Sequence, residues 1–454
     1  MESYDIYDNL SVLDHRYRHD ELAKYLSENA FIKYKLQVEI ALMEVLCLRN
    51  ICQKSDVDEV MAACSRIKAA HVAKEEQVTK HDIRALVNCI RARVTDRVKP
   101  FVHMTATSFD VIDSANALRF KDSIKDLLIP RLEELKDVLI DISICEASTI
   151  QIGRTHGQHA VPITFGFAIS EYVGRLDNSI ESLIMLVDKI PGKFSGAVGA
   201  YNASSLFFDD PLDFEREVLH HLGLIPPCGP STQIVPPEAL IRCFFEIFLA
   251  SGVMANLAED MRNLQRTEIS EIAEAFDVNQ VGSSTMAQKR NPINFENAKS
   301  MWSIIMPRII TMLINQLSDH QRDLTNSASG RTFGEIIAFA VLMSERLTGT
   351  MKKLRVDHEN MKRNLDITGD LVLAEPLYII LAYLGHPDAH ESVRKLTLKA
   401  RSENKKLMEV VSNDPGMTGY LERMTHRQRL ILSDPSLYTG LAFEVAESTA
   451  GYRL

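Results

Sequence analysis

His156 lies in GRTHGQH, residues 153–159, flanked by glycines in a chain otherwise dominated by helical periodicity. Imidazole has an ordinary pKa near neutral, so a histidine in a Gly-flanked polar turn suits proton transfer or ligand contact. His159 follows at a spacing a metal pair can use. No HExxH is present, and no nearby carboxylate or cysteine supplies a third ligand at a usual spacing, so no metal is expected. A second stretch, QVGSSTMAQKRNPINFENAKS, occupies residues 280–300. Gly282, Ser283 and Ser284 are poor helix formers, and Lys289 and Arg290 bring cations with no neighbouring carboxylate. Asn291-Pro292 then reads as an N-cap followed by the first helical position. Hydroxyls and cations beside a positive helix end suit an anionic ligand, although a plain surface loop before a capped helix has the same composition.

Other polar clusters accompany these. HMTATSFD at 103–110 is dense in hydroxyls and also reads as a linker. LDHRYRH at 13–19 groups Arg16, Tyr17 and Arg18, a pattern shared with solvated surface runs. KHDIR at 80–84 offers His81 and Asp82, which also suit a helix cap. HQRDLTNSASGR at 320–331 sets Arg322, Ser327 and Arg331 among hydroxyls, a composition able to grip phosphate or carboxylate. No Gly-rich phosphate loop follows a strand, and no GxSxG elbow is present.

The elements that must position these residues read as long helices. Residues 31–50 place Val38, Leu42 and Val45 on one stripe, with Lys35, Glu39 and Glu44 mainly opposite. Residues 114–150, 163–190, 237–275 and 292–320 extend the pattern over unusually long spans, which generally pack side by side in an elongated bundle. Gly/Pro-rich interruptions fall at 192–205 and 226–238. Beyond about residue 360 the helices shorten. The expected organisation is an N-terminal helical region 1–105, a central long-helix bundle 106–360 and a C-terminal helical region 361–454.

Bulk composition narrows the class. Apolar residues make up 46% of the 454 and charged residues 25%, a soluble globular profile. Gly and Pro number 20 and 16, below the roughly 12% of average usage, which favours long uninterrupted elements. A net charge of −10 argues against a general nucleic-acid or acidic-membrane surface, yet permits a small anionic substrate in a locally basic pocket. Seven cysteines without a CxxC pair suggest reduced thiols and a cytoplasmic home. The polar N-terminus lacks the apolar core of a signal peptide. The apolar window 247–258 is shorter than the roughly 18 residues a membrane span needs.

Taken together, these clusters resemble the fumarase/aspartase lyase superfamily. GSSTMAQKRNP at 282–292 is similar to its signature, Gly-Ser-Ser-x-Met-x-x-Lys-x-Asn-Pro, and GRTHG and TATSFDVID match its other common blocks in order. QRTEI at 265–269, HD at 81–82, SVLDHRY at 11–17 and RDLTNSASGR narrow the similarity to the adenylosuccinate branch, over nearly the whole chain. The resemblance implies an all-α, three-domain protomer. Four protomers would build a twenty-helix core, with each active site shared among three subunits. It implies β-elimination of fumarate from adenylosuccinate to leave AMP, with a parallel cleavage of the succinyl-carboxamide ribotide of purine synthesis. No metal or organic cofactor is implied.

By the same resemblance Ser283 is the expected general base, with Ser284 beside it, and His156 the general acid, with Thr155 beside it. Lys289 and Asn291 would hold the carboxylate on which charge develops. His81 would orient substrate or tune His156, supported by Asp82. Thr107, Ser108 and Gln233 would contact the succinyl part; Arg16, Tyr17, Arg322, Ser327 and Arg331 would take the phosphate and ribose. Three departures stand out: Ala287 replaces a usual proline, VPPEAL follows Ser-Thr-Gln where relatives carry Arg-Asp, and Asn326 stands where histidine is common. The rival readings are an argininosuccinate lyase or carboxymuconate cycloisomerase of the same superfamily, a divergent lyase on a related succinyl substrate, and a binding or structural protein on the same scaffold.

Overall fold

The computed structural model describes residues 10–276, 282 and 284–452. The described residues are mainly helical, with two small two-stranded antiparallel sheets among them. It forms two compact units: one from Met1–Glu133, Asn178–Gly252 and Ser300–Glu345, the other from Glu134–Asp177, Val253–Lys299 and Arg346–Leu454.

In the first unit, helix Glu28–Leu48 buries Leu36, Val38, Leu42, Met43, Val45 and Leu46 and packs against helix Ser108–Ser123. Ser27 starts the former, its hydroxyl accepting the Ala30 N–H at 3.2 Å. Ser108–Ser123 begins where the Asp110 carboxylate accepts the Thr107 N–H at 2.8 Å. The same carboxylate forms a fully buried pair with Lys193 at 2.5 Å and accepts the Gly196 N–H at 3.2 Å. One acid thus fixes both the start of a helix and the loop beside it. The nearby turn is strained: His103 and Thr105 sit at φ 64° and 66°, and a β-branched residue is a rare occupant of that region.

In the second unit, β1 (Ile150–Thr155) pairs with β2 (Gln158–Thr164), so the helical pattern expected through residue 150 ends earlier, at Cys145. Two residues, His156 and Gly157, make the turn at φ 54° and 72°, the paired positive values of a tight hairpin whose twist matches its strands. At the base, the buried Glu271 carboxylate takes Arg154 at 2.6 Å, Gln151 at 2.8 Å and Asn364 at 2.8 Å. Ile152 joins the apolar cluster of Leu373, Leu377, Leu381 and Leu407. β3 (Ile272–Ala273) pairs with β4 (Arg355–Val356), which is why the helix expected over 237–275 stops at Leu264.

Helix Glu238–Leu264 is long and apolar enough to cross a membrane by length and composition, but 56% of its most apolar window is buried within the protein, the pattern of a core helix. The 292–320 stretch splits into helices Ile293–Ile305 and Arg308–Ile314 around Pro307.

Candidate active site

The first unit holds a cavity of about 580 Å³, and seven sequence-selected residues line it: His81, Asp82, Ser108, Gln233, Arg322, Ser327 and Arg331. They come from four separate stretches of chain. His81 caps helix Asp82–Arg91, its Nδ1 accepting the Arg84 N–H at 3.2 Å. That bond leaves the ring proton on Nε2, which lies 3.5 Å from the Ser108 hydroxyl. Asp82 accepts Lys35 at 3.0 Å and is held below its ordinary carboxylate value: burial opposes the shift, and the Lys35 ammonium outweighs it.

Arg322 carries the strongest sign of an anion site. Its guanidinium lies 4.6 Å from the Phe109 ring centroid, and its buried Nε and Nη1 have no hydrogen-bond partner. Burial lowers its pKa. Leaving donors buried and unpaired costs about 1–3 kcal/mol each, a cost that an incoming phosphate or carboxylate removes. Arg119 and Asp113 also line the cavity and were not singled out in the sequence. Arg119 lies 4.1 Å from the Phe31 centroid and 4.7 Å from that of Phe120, and burial lowers its pKa to about 10. Burial raises the Asp113 carboxyl to about 6. Helix Ser108–Ser123 buries residues on most of its sides, so the spacing of its polar residues carries no sign of a cavity.

The VPPE departure finds a place here. The Val235 N–H donates to Asp113 at 2.8 Å, and Pro236 and Pro237 form part of the wall. Thr107 precedes Ser108 but does not line the cavity; neither do Arg16, which is exposed, nor Tyr17, whose ring packs edge-on against Phe339 at 6.0 Å. Behind the 103–108 turn, His103 meets the buried Glu39 at 2.6 Å. Burial opposes the imidazolium charge, and the Glu39 carboxylate raises the His103 pKa in spite of it.

The second unit carries the remaining candidates. Thr155 and His156 are exposed at the hairpin tip. His159 instead contacts the Thr368 hydroxyl at 2.7 Å, and burial, with Arg154 beside it, lowers its pKa. The two histidines therefore have separate tasks. Ser283 lies outside the described residues. Around it, the Asn291 side chain donates to the Gly282 carbonyl at 3.0 Å, and Ser284 and Lys289 are exposed. A Cβ on Gly282 would stand 2.0 Å from the Lys289 carbonyl oxygen, so only glycine fits this closure.

The helix start expected at Asn291-Pro292 falls later. The helix begins at Ile293, and the buried Glu274 carboxylate accepts the N–H groups of Asn294 and Phe295, both at 2.9 Å. This end of the macrodipole is occupied by the protein's own anion, so it is not open to a ligand. Among the described residues, Lys289 and Arg290 are exposed cations just before this helix. Among the described residues, one group with metal-ligand spacing is His19, Glu21 and Glu345, and Arg131 already bridges its two carboxylates at 3.0 and 2.7 Å.

This helical frame, with its anion cavity and histidine-tipped hairpin, matches known proteins over most of its length. Residues 15–306 fit the family described as Lyase, and residues 318–427 fit the adenylosuccinate lyase C-terminal family. The adenylosuccinate lyase of Pyrococcus horikoshii is 36% identical over 449 residues, covering 97% of each chain. That of Methanocaldococcus jannaschii is 31% identical, covering 96% of this chain and 94% of its own. The 3-carboxy-cis,cis-muconate lactonizing enzyme of Pseudomonas putida shares the fold at TM-score 0.84 and 24% identity, with 97% and 98% coverage. A fumarate lyase from Mesorhizobium shares it at TM-score 0.83 and 23% identity, with 96% and 99% coverage. The chain belongs to the lyase family, in its adenylosuccinate lyase branch.

Proposed function

We propose that this chain eliminates fumarate from adenylosuccinate, leaving AMP, and performs the parallel cleavage of the succinyl-carboxamide ribotide. The observation that carries the reading is Arg322, which has buried unpartnered donors and lines a cavity together with Arg331, Ser327, Gln233, Ser108 and His81. Such a set suits a substrate that ends in phosphate and carries further anionic groups.

The chemistry follows from what must ionise. Removing a proton beside a carboxylate builds a doubly charged aci-carboxylate, so its stabilisation is mainly electrostatic. Ser283 is the assigned base and His156 the acid that protonates the departing purine nitrogen. Lys289 holds the carboxylate on which charge develops, and Asn291 keeps the loop closed through Gly282. Ser108, whose hydroxyl lies 3.5 Å from His81 Nε2, meets the other carboxylate, with Thr107 beside it. Closure of the 282–291 loop over substrate excludes water.

The active enzyme is a cytoplasmic homotetramer in which several subunits contribute to each site. Support comes from exposed apolar residues repeating on and after one helix: Met306, Ile310, Leu313, Ile314 and Leu317. Such a stripe is expected to be covered by another chain. Fumarate release from adenylosuccinate, followed by ultraviolet absorbance, tests the function. Turnover of argininosuccinate or carboxymuconate, with none of adenylosuccinate, would overturn it.

A further inference from the structure

The cavity that receives an anion also contains a carboxylate standing beside the key cation. Three acids line it: Glu76, Asp82 and Asp113. Asp82 already holds Lys35. Asp113 is the cavity carboxylate whose charge acts on Arg322, yet the two form no ion pair. Its hydrogen bond among the described residues is from the Val235 N–H to Oδ2, which leaves Oδ1 to accept from a ligand.

A bare carboxylate repels phosphate and succinyl carboxylates, so it contributes to binding only by meeting a donor. A succinylated purine nucleotide offers few donors: the ribose hydroxyls and the N–H at the departing nitrogen. The ribose hydroxyls lie a few bonds from the phosphate, and the phosphate belongs with Arg322, which lines the same cavity as Asp113. A carboxylate also accepts hydroxyl hydrogens through charge-assisted bonds. Resting on the nucleotide reading above, we infer that Asp113 accepts the hydroxyl hydrogens of the substrate ribose and so selects ribonucleotides over deoxynucleotides. Val235, followed by two prolines, holds the carboxylate at a fixed angle for this contact.

Calorimetric binding of AMP and of 2′,3′-dideoxy-AMP to the intact enzyme tests the inference, with wild type compared with Asp113→Asn. The asparagine oxygen can keep the Val235 bond, while its amide places a donor where Oδ1 stood. The expected result is a tenfold or greater preference for AMP in the wild type and loss of most of that preference in D113N. An undiminished preference in D113N overturns the ribose contact. So does equal binding of both nucleotides by the wild type. Fumarate release by the wild type, assayed alongside, decides the proposed reaction independently: active enzyme with an unchanged D113N preference sinks only the ribose contact. If the wild type neither releases fumarate nor binds AMP, both readings fail.

Discussion

Glu274 grips Asn294 twice, accepting its backbone N–H at 2.9 Å and its side-chain amide at 2.7 Å. The Glu274 N–H is itself held by the Gln265 side-chain oxygen at 3.0 Å. Gln265 and Asn294 are therefore tied together through one buried acid. Glu274→Ala removes the cap and leaves amide donors exposed to an apolar surround. Stability should fall by about 2 kcal/mol, measured by denaturant unfolding. An unchanged midpoint would show that the cap contributes nothing.

Arg322→Met should separate stability from activity. The variant removes buried donors that lack partners while keeping an unbranched side chain against Phe109. Thermal unfolding should rise or hold, while KM for adenylosuccinate should rise tenfold or more. A stability loss with KM unchanged would remove Arg322 from the anion site.

Thr105→Gly relieves a β-branched residue at φ 66° whose buried hydroxyl has no partner. The gain should be roughly 1 kcal/mol after allowing for the greater freedom of glycine in the unfolded chain. Denaturation midpoints of the two proteins measure it, and a loss would show that the hydroxyl or methyl makes a needed contact.

Asp113 gives a pH dependence of definite sign. With its carboxyl raised to about 6, the folded protein holds this proton more tightly than the unfolded chain does. Its contribution is complete below the ordinary carboxylate range and lost as pH rises through about 6, a change of up to roughly 3 kcal/mol. Asp113→Asn should flatten that part of the stability profile between pH 4 and about 7. An identical profile in the variant would place the titration elsewhere.

Subunit sharing predicts complementation. Ser283→Ala and His156→Ala should each nearly abolish turnover, and a mixed tetramer of the two should recover part of it. Two inactive parents that remain inactive in a verified mixed tetramer would assign both groups to the same protomer.

Much of the site was legible because motif residues signal chemistry even when far apart in sequence. His81, Ser108, Gln233, Arg322, Ser327 and Arg331 come from separate stretches and line one cavity. The hairpin was missed because Ile150–Thr155 is short and follows a long helical pattern, so local periodicity could not mark the change. The sequence marks Asn291 as an N-cap, but the helix starts at Ile293, the Asn291 amide serves Gly282 instead, and the cap on Asn294 comes from Glu274, 20 residues before it. Asp113 and Arg119 were invisible for a related reason: on a helix buried on most of its sides, a polar residue reads the same in sequence whether it meets water, a partner or a cavity. Only non-local packing separates those outcomes.

The hairpin bearing His156 is clamped at Glu271 and turns tightly at its tip. It therefore behaves as a stiff arm with its anchor several residues behind the imidazole. A small loosening at the anchor would swing the ring through a larger arc, so changes at Gln151, Arg154 or Asn364 should misaim the His156 imidazole without altering its chemistry.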